Sequence, residues 1–256
     1  MPISRAGINS RKCVCVLVSI SVIASSSLYA QINPVNPVIE NLLEGHPVIG
    51  TFSRSPTTDL DFAVIDEQYG EFDIEGVRNA IIGMRAGDNP RPVAPIVRTP
   101  LAVRDTPQSV VQQLLDVGVS GIMFPDVDTR AQAEAAIASL RSGQAGVWPL
   151  DPAGILVAMI QIESPLGIEN LDAILEVPGI GVLFLGPTDM ATAIGAEGPN
   201  AAEVESMVQG VLKVCLERNI ACGYPIVATS QADADRQTSQ RLAQGFKVLA
   251  VMTRAR

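Results

Sequence analysis

The sequence predicts a single α/β domain, a (β/α)8 barrel of the TIM type, and three features carry that expectation. Eight short apolar runs rich in β-branched residues recur along the chain. Amphipathic helical stretches alternate with them, and the joints carry helix caps rather than hairpin turns. Near-continuous apolar runs suit parallel strands covered on both faces, because alternation is expected only where one face meets water.

In chain order the expected strands are 49–52, 62–66, 94–98, 121–124, 156–163, 181–185, 221–227 and 247–252. The expected helices are 74–85, 107–117, 130–141, 167–176, 203–218 and 230–244. Val117-Gly118 and Pro178-Gly179 close helices ahead of strands, while Thr106-Pro107 and Asp128-Thr129 open them. An open doubly wound sheet is the alternative, but no Gly-rich dinucleotide turn follows any strand. Only residues 53–61 join the first two strands, and the sequence ends four residues after Met252. A shortened first crossover and no final helix are therefore expected. That would leave a seam of the barrel uncovered, and an exposed apolar edge favours a homo-oligomer.

A chain of 256 residues that is 47% apolar can bury one large core. Aromatic residues are only 4% and the formal charge is −9, which speaks against a nucleic-acid partner. Residues 1–30 form a separate segment. Arg5, Arg11 and Lys12 precede an apolar, small-residue run over 13–24, followed by a Ser-rich stretch ending in Ala30, the order of a cleavable secretory signal. The run is too short to span a bilayer, so no membrane association is expected after cleavage. Its removal takes three of the 18 basic residues and none of the 27 acidic ones, leaving the domain over 31–256 at net −12. The expected location is periplasmic or secreted. Cys215 and Cys222 remain in that domain, either as a pair or as two separately buried thiols.

In such a barrel, chemistry belongs to the carboxyl ends of the strands. Those ends read Asp66 with Gln68 and Tyr69, then Arg98, Pro125 with Asp126, Glu163, and Gly186-Pro187-Thr188-Asp189. Glu163 ends the apolar run VAMIQIE, and Asp189 follows VLFLGP. Two carboxylates on neighbouring strands suit a hard divalent cation such as Mg²⁺ or Mn²⁺, which takes oxygen ligands and keeps positions open for substrate. Alternatively, each acid simply caps the helix behind it. For Arg98 the alternative is a salt bridge to a barrel acid.

The segments MIQIES, GIENLDAILEVPGIGVLFLGPTDM, VWPLDPAG, APIVR, FDIEGVRNAI and LLDVGVSGIMFPDVDTRAQAEAAI resemble the HpcH/HpaI-type family of metal-dependent 4-hydroxy-2-oxo-acid aldolases and citrate lyase beta chains. The resemblance runs over essentially the whole chain after residue 30. It implies a (β/α)8 barrel that makes or breaks carbon–carbon bonds of a small 2-oxo acid through a metal-bound pyruvate enolate. It places Glu163 and Asp189 on the metal-ligand positions and Arg98 on the arginine that contacts the keto-acid oxygen. Backbone N–H groups of Gly186, Pro187-Thr188 and their neighbours would assist substrate binding, Pro187 itself having none to give.

The likeness departs in two places. The family's second strand ends in an acid, a variable residue, Glu and His, whereas here Asp66, Glu67, Gln68 and Tyr69 stand there. Tyr69 would then take the proton-transfer role, or a metal-bound hydroxide would. The lone histidine, His46, precedes the first strand. Asp116 falls on the acidic partner of that histidine in some members; its other reading is a surface acid at a helix end. The second departure is a short link at 142–146 where a longer loop would shape the pocket, so a more open mouth and slower chemistry are expected. The expected function is an aldolase acting on a 2-oxo acid, with an exported keto-acid or dicarboxylate binder as the alternative and a structural role as a third.

Overall fold

Helix α1 (Pro37–Glu44) is the first element of the computed structural model, which describes residues 36–57, 59–86, 91–143 and 145–253. The segment read as an export signal lies outside these residues. Asn36 caps α1, its side chain accepting from the Val38 N–H at 3.2 Å, and Pro37 occupies the first helical position. Gly45, with φ 77°, ends it in the left-handed region. The Asn36 amide also donates to the carbonyls of Ser120 (2.9 Å) and Ile155 (2.8 Å), just ahead of two barrel strands. Val38 and Ile39 are buried among the inward-facing strand residues, so α1 plugs the amino-terminal end of the barrel.

The strands follow as β1 (Val48–Phe52), β2 (Phe62–Asp66), β3 (Ala94–Arg98), β4 (Gly121–Phe124), β5 (Val147–Trp148), β6 (Leu156–Ile162), β7 (Val182–Leu185), β8 (Ala221–Ala228) and β9 (Val248–Thr253). All pairings are parallel, and β4 pairs with β6 to close an eight-stranded ring. The two-residue β5 is an extra strand laid against the start of β6. Every expected strand of the ring is present, within one or two residues at its ends.

The period of two sorts the side chains. Val48, Phe62, Val64, Ile96, Met123, Met159 and Phe184 belong to the cluster that fills the barrel. Their neighbours Ala63, Ile65, Val97, Ile122, Ile160 and Leu183 belong to the cluster beneath the helices. Burial on both faces is why the sequence shows unbroken apolar runs.

Helices α2 (Ile74–Arg85), α3 (Gln108–Asp116) and α4 (Arg130–Arg141) lie where expected. The single helix expected over 167–176 is instead two short ones, α5 (Pro165–Glu169) and α6 (Leu171–Leu175). The break falls at Asn170, whose side chain donates 2.8 Å to the carbonyl of Asp128, a partner 42 residues away that no local pattern reveals. Helix α7 (Pro187–Ile194) starts ahead of Asp189 and runs longer than the helical turn read behind that acid, whereas α8 (Ala202–Glu217) and α9 (Gln231–Gln244) lie where expected. Among the described residues of the first crossover there is no helix, which agrees with the predicted shortening. No described helix is long and apolar enough to cross a membrane. Cys215 and Cys222 are both buried and unbridged, and burial, reinforced by the nearby Cys215, pushes the Cys222 thiol well up.

Candidate active site

A cavity of about 450 Å³ opens at the carboxyl ends of the strands, within the range of small-molecule sites. Asp66, Tyr69, Arg98, Gly186, Pro187, Thr188 and Asp189 all line it. Larger grooves of about 630 and 540 Å³ lie elsewhere, and neither includes any of these residues.

Glu163 follows the last residue of β6 and is 3% exposed. Its carboxylate lies against Gly186, where an added Cβ would collide with it, so the glycine after β7 is what lets the acid lie across the strand ends. The Oε2 of Glu163 is buried and has no hydrogen-bond partner. Burial, reinforced by the Asp189 charge and opposed by Arg98, pushes its carboxyl up to about 8. Asp189 sits inside the first turn of α7, not ahead of a turn, where the helix dipole favours an anion.

Asp66 and Arg98 are register partners across β2 and β3. Nε of Arg98 donates to Oδ1 of Asp66 at 2.9 Å and Nη2 to Oδ2 at 2.6 Å. The guanidinium stands 4.9 Å from the centroid of the Phe52 ring. Burial raises the Asp66 carboxyl, but the hydrogen bonds and charge of Arg98 outweigh it and hold it below the ordinary carboxylate range. The salt-bridge reading of Arg98 is therefore present in the structure, and it orients the guanidinium at the cavity rather than removing it.

Tyr69 is 69% exposed at the mouth. Its partial burial, then the charges of Asp189 and Glu163, raise the phenol above its usual value. It stays protonated across the neutral range, so the lowering that would make it a base is absent.

Asp116 is not brought to this cavity. It ends α3, accepts from Gln112 at 3.0 Å, and lines a separate groove with Arg85, Gly118 and Ser120 beside the starts of β4 and β6. Ser142, Gly143 and Ala145 line the same groove, so the short link opens no part of the mouth: it joins a helix to the start of a strand, and such links lie at the far end of a barrel. His46 is also remote, in the loop before β1, with Nδ1 3.2 Å from Glu44.

Two groups at the site had no assigned role. Gln161 lines the cavity two residues before Glu163 on the same strand face, and its buried Oε1 has no partner. A lone amide in the run VAMIQIE was the available clue. Asp126 has φ 52°, and its backbone N–H lies close enough to the Glu163 carboxylate to favour the charged form, the weakest of the influences on that acid. Its own carboxylate is tied to Arg104 at 2.5 Å. Burial and the nearby Asp128 raise the Asp126 carboxyl against the pull of Arg104.

Glu163 and Asp189 fit a divalent cation. A buried carboxylate oxygen without a donor, its proton retained by desolvation and a second acid, is the state expected of a ligand whose positive partner has been taken away. Among the described residues no three His, Cys, Asp or Glu side chains cluster to enclose an ion. An ion held by these two acids alone would keep positions open for water or substrate oxygens.

The HpcH/HpaI aldolase/citrate lyase family model matches residues 55–252. The hydroxypyruvate/pyruvate aldolase of Chromohalobacter salexigens is 31% identical over 214 residues, 76% of this chain and 79% of that protein. The 5-keto-4-deoxy-D-glucarate aldolase of Shigella boydii is 30% identical over 196 residues, 69% of this chain and 72% of that protein. Among solved structures, an HpcH/HpaI aldolase/citrate lyase family protein from Burkholderia cenocepacia superposes with a TM-score of 0.68 at 23% identity, covering 86% of this chain and 93% of that one, a likeness of fold. With the match spanning the barrel from the first crossover to the last strand, the chain belongs to the HpcH/HpaI aldolase/citrate lyase family.

Proposed function

We propose that this cavity cleaves a 4-hydroxy-2-oxo acid to pyruvate and an aldehyde, or joins the two, with a divalent cation, Mg²⁺ or Mn²⁺, held by Glu163 and Asp189. The observation that carries the reading is the unpartnered Oε2 of Glu163, packed against the cavity-lining Gly186 and coupled to the Asp189 charge. Bound there, the ion would supply a Lewis acid to the 2-oxo acid.

The chain's own groups do the rest. Arg98, oriented by Asp66, stabilises the negative charge that grows on the C2 oxygen as the C3–C4 bond breaks. The amide N–H groups of Thr188 and Asp189, in the first turn of α7, have no partner within the helix and receive the substrate carboxylate. Gln161 adds an amide to the cavity lining. The proton that the C4 hydroxyl loses as the aldehyde forms goes to water at the open mouth, and Tyr69, protonated there, is the donor that returns one to C3 and regains its own from solvent.

The family match favours turnover over a binding-only role. The test is pyruvate release from a panel of 4-hydroxy-2-oxo acids by protein reconstituted with Mn²⁺ or Mg²⁺, against Glu163→Gln. Release no faster than in that variant for every substrate removes the proposal. We also propose export with cleavage after Ala30 and self-association of the domain. Intact mass of protein recovered from the periplasm or medium, and its molar mass in solution, test both.

A further inference from the structure

The geometry points to an uncharged, hydroxyl-bearing aldehyde, not a carboxylate-bearing one, as the second partner in the reaction. This rests on the aldolase reading and concerns the part of the cavity that reading leaves unassigned. The acids and Arg98 stand on β2, β3, β6 and the start of α7. The remaining wall belongs to β8, β9, α9 and the loop before α8, and it presents Pro199, Asn200, Pro225, Val227, Gln237 and Met252. With the 2-oxo acid on the cation and Arg98, the aldehyde half must extend along this wall.

Its chemistry is neutral. Asn200 and Gln237 offer amides, which pair with hydroxyl groups in either direction. Gln237 commits one N–H to Asp233 at 3.1 Å, which fixes its amide and leaves Oε1, an acceptor, beside the second N–H. A hydroxyl can donate to that oxygen and a carboxylate cannot. Among the described residues lining the cavity, Arg98 is the only cation, and two of its nitrogens are on Asp66. Asp66, Glu163 and Asp189 are balanced at best by that guanidinium and one divalent ion, and a keto acid brings its own carboxylate and the developing enolate. A second carboxylate on the aldehyde would enter a negative site with neutral amides but no second cation to meet it. Leaving a charge unpaired in a cleft is how a site rejects a ligand of the right shape.

The test uses Mn²⁺-loaded protein and two measurements. Deuterium uptake at C3 of pyruvate in D₂O reads enolate formation with no aldehyde present. Aldol addition is then compared for glyceraldehyde and tartronate semialdehyde, which differ only in a terminal CH₂OH or COO⁻. The expected result is C3 exchange with kcat/KM at least about tenfold higher for glyceraldehyde. Asn200→Arg, a change on an exposed loop residue, should shift the ratio of the two values at least about fivefold toward the carboxylate. Exchange with equal or better use of the carboxylate aldehyde overturns this inference and leaves the aldolase reading standing. No exchange overturns both.

Discussion

Taking the cation away from Glu163 should leave a mark on folding stability that has a sign, a pH window and a size. The carboxyl has an ordinary value of 4.5 and is pushed up to about 8 in the folded chain. Between those values the folded protein keeps a proton that the unfolded chain has released. Stability of the metal-free protein therefore falls as pH rises through that window, at up to about 1.36 kcal/mol per pH unit, and levels off above the folded value. From pH 5.5 to 7.5 the loss should be about 2 to 2.5 kcal/mol. Asp66, Glu205 and Asp233, whose carboxyls are held low, act in acid below this range and leave it clear. Urea unfolding in chelator at the two pH values, for wild type and Glu163→Gln, reads the difference. The variant should lack the fall and be the more stable protein at pH 7.5. With saturating Mn²⁺ the wild-type trend should reverse, because the ion competes with the proton. Parallel pH dependence of wild type and variant in chelator would refute the argument, since it would mean that Glu163 reaches solvent and needs no cation to satisfy it.

Three further outcomes follow from the same geometry. Gly186→Ala should fold, but its methyl displaces the Glu163 carboxylate, so Mn²⁺ affinity by calorimetry should drop about tenfold or more; unchanged affinity would show that the close approach is not needed. Arg98→Lys cannot keep both bonds to Asp66, and kcat for pyruvate release should fall about a hundredfold or more, with a smaller effect on KM. Arg241 is buried, holds Glu205 at 2.7 and 2.8 Å and the Tyr224 hydroxyl at 3.0 Å, and stacks 4.0 Å from the Tyr224 ring. Arg241→Leu should cost about 2–3 kcal/mol in urea unfolding, the lower end for a broken pair because Glu205 keeps some access to water, and should leave Mn²⁺ affinity intact.

Strands and site differed in how far the sequence exposed them, and for a physical reason. A barrel strand is buried on both faces whatever its neighbours are, so its apolar run is a local property and all eight could be read. Breaks and caps made by distant partners could not. Asn170 interrupts a helical pattern because of a carbonyl on another element. The start of α7 hides behind Gly186-Pro187, which reads as a turn until proline is placed at the first helical position. Helix α1 carried the same signature in Asn36-Pro37 and Gly45, but eight residues are too few for periodicity to stand out.

The same distinction sorts the site residues. Those at or just past the ends of strands, Asp66, Arg98, Glu163 and Asp189, lead to one end of the barrel because every strand of a parallel ring points the same way. Asp116 ends a helix, and in a βα unit the helix runs back toward the strand starts, so its last residue is delivered to the opposite face. The position of an acid within its βα unit was thus enough to separate Asp116 from the cavity, and likeness of motif outweighed it. What strand direction cannot supply is the contact between elements. Gly186 has to be small because Glu163, 23 positions earlier, needs the room, and that requirement is what lets the Glu163 carboxylate lie across the strand ends as the proposed cation site demands.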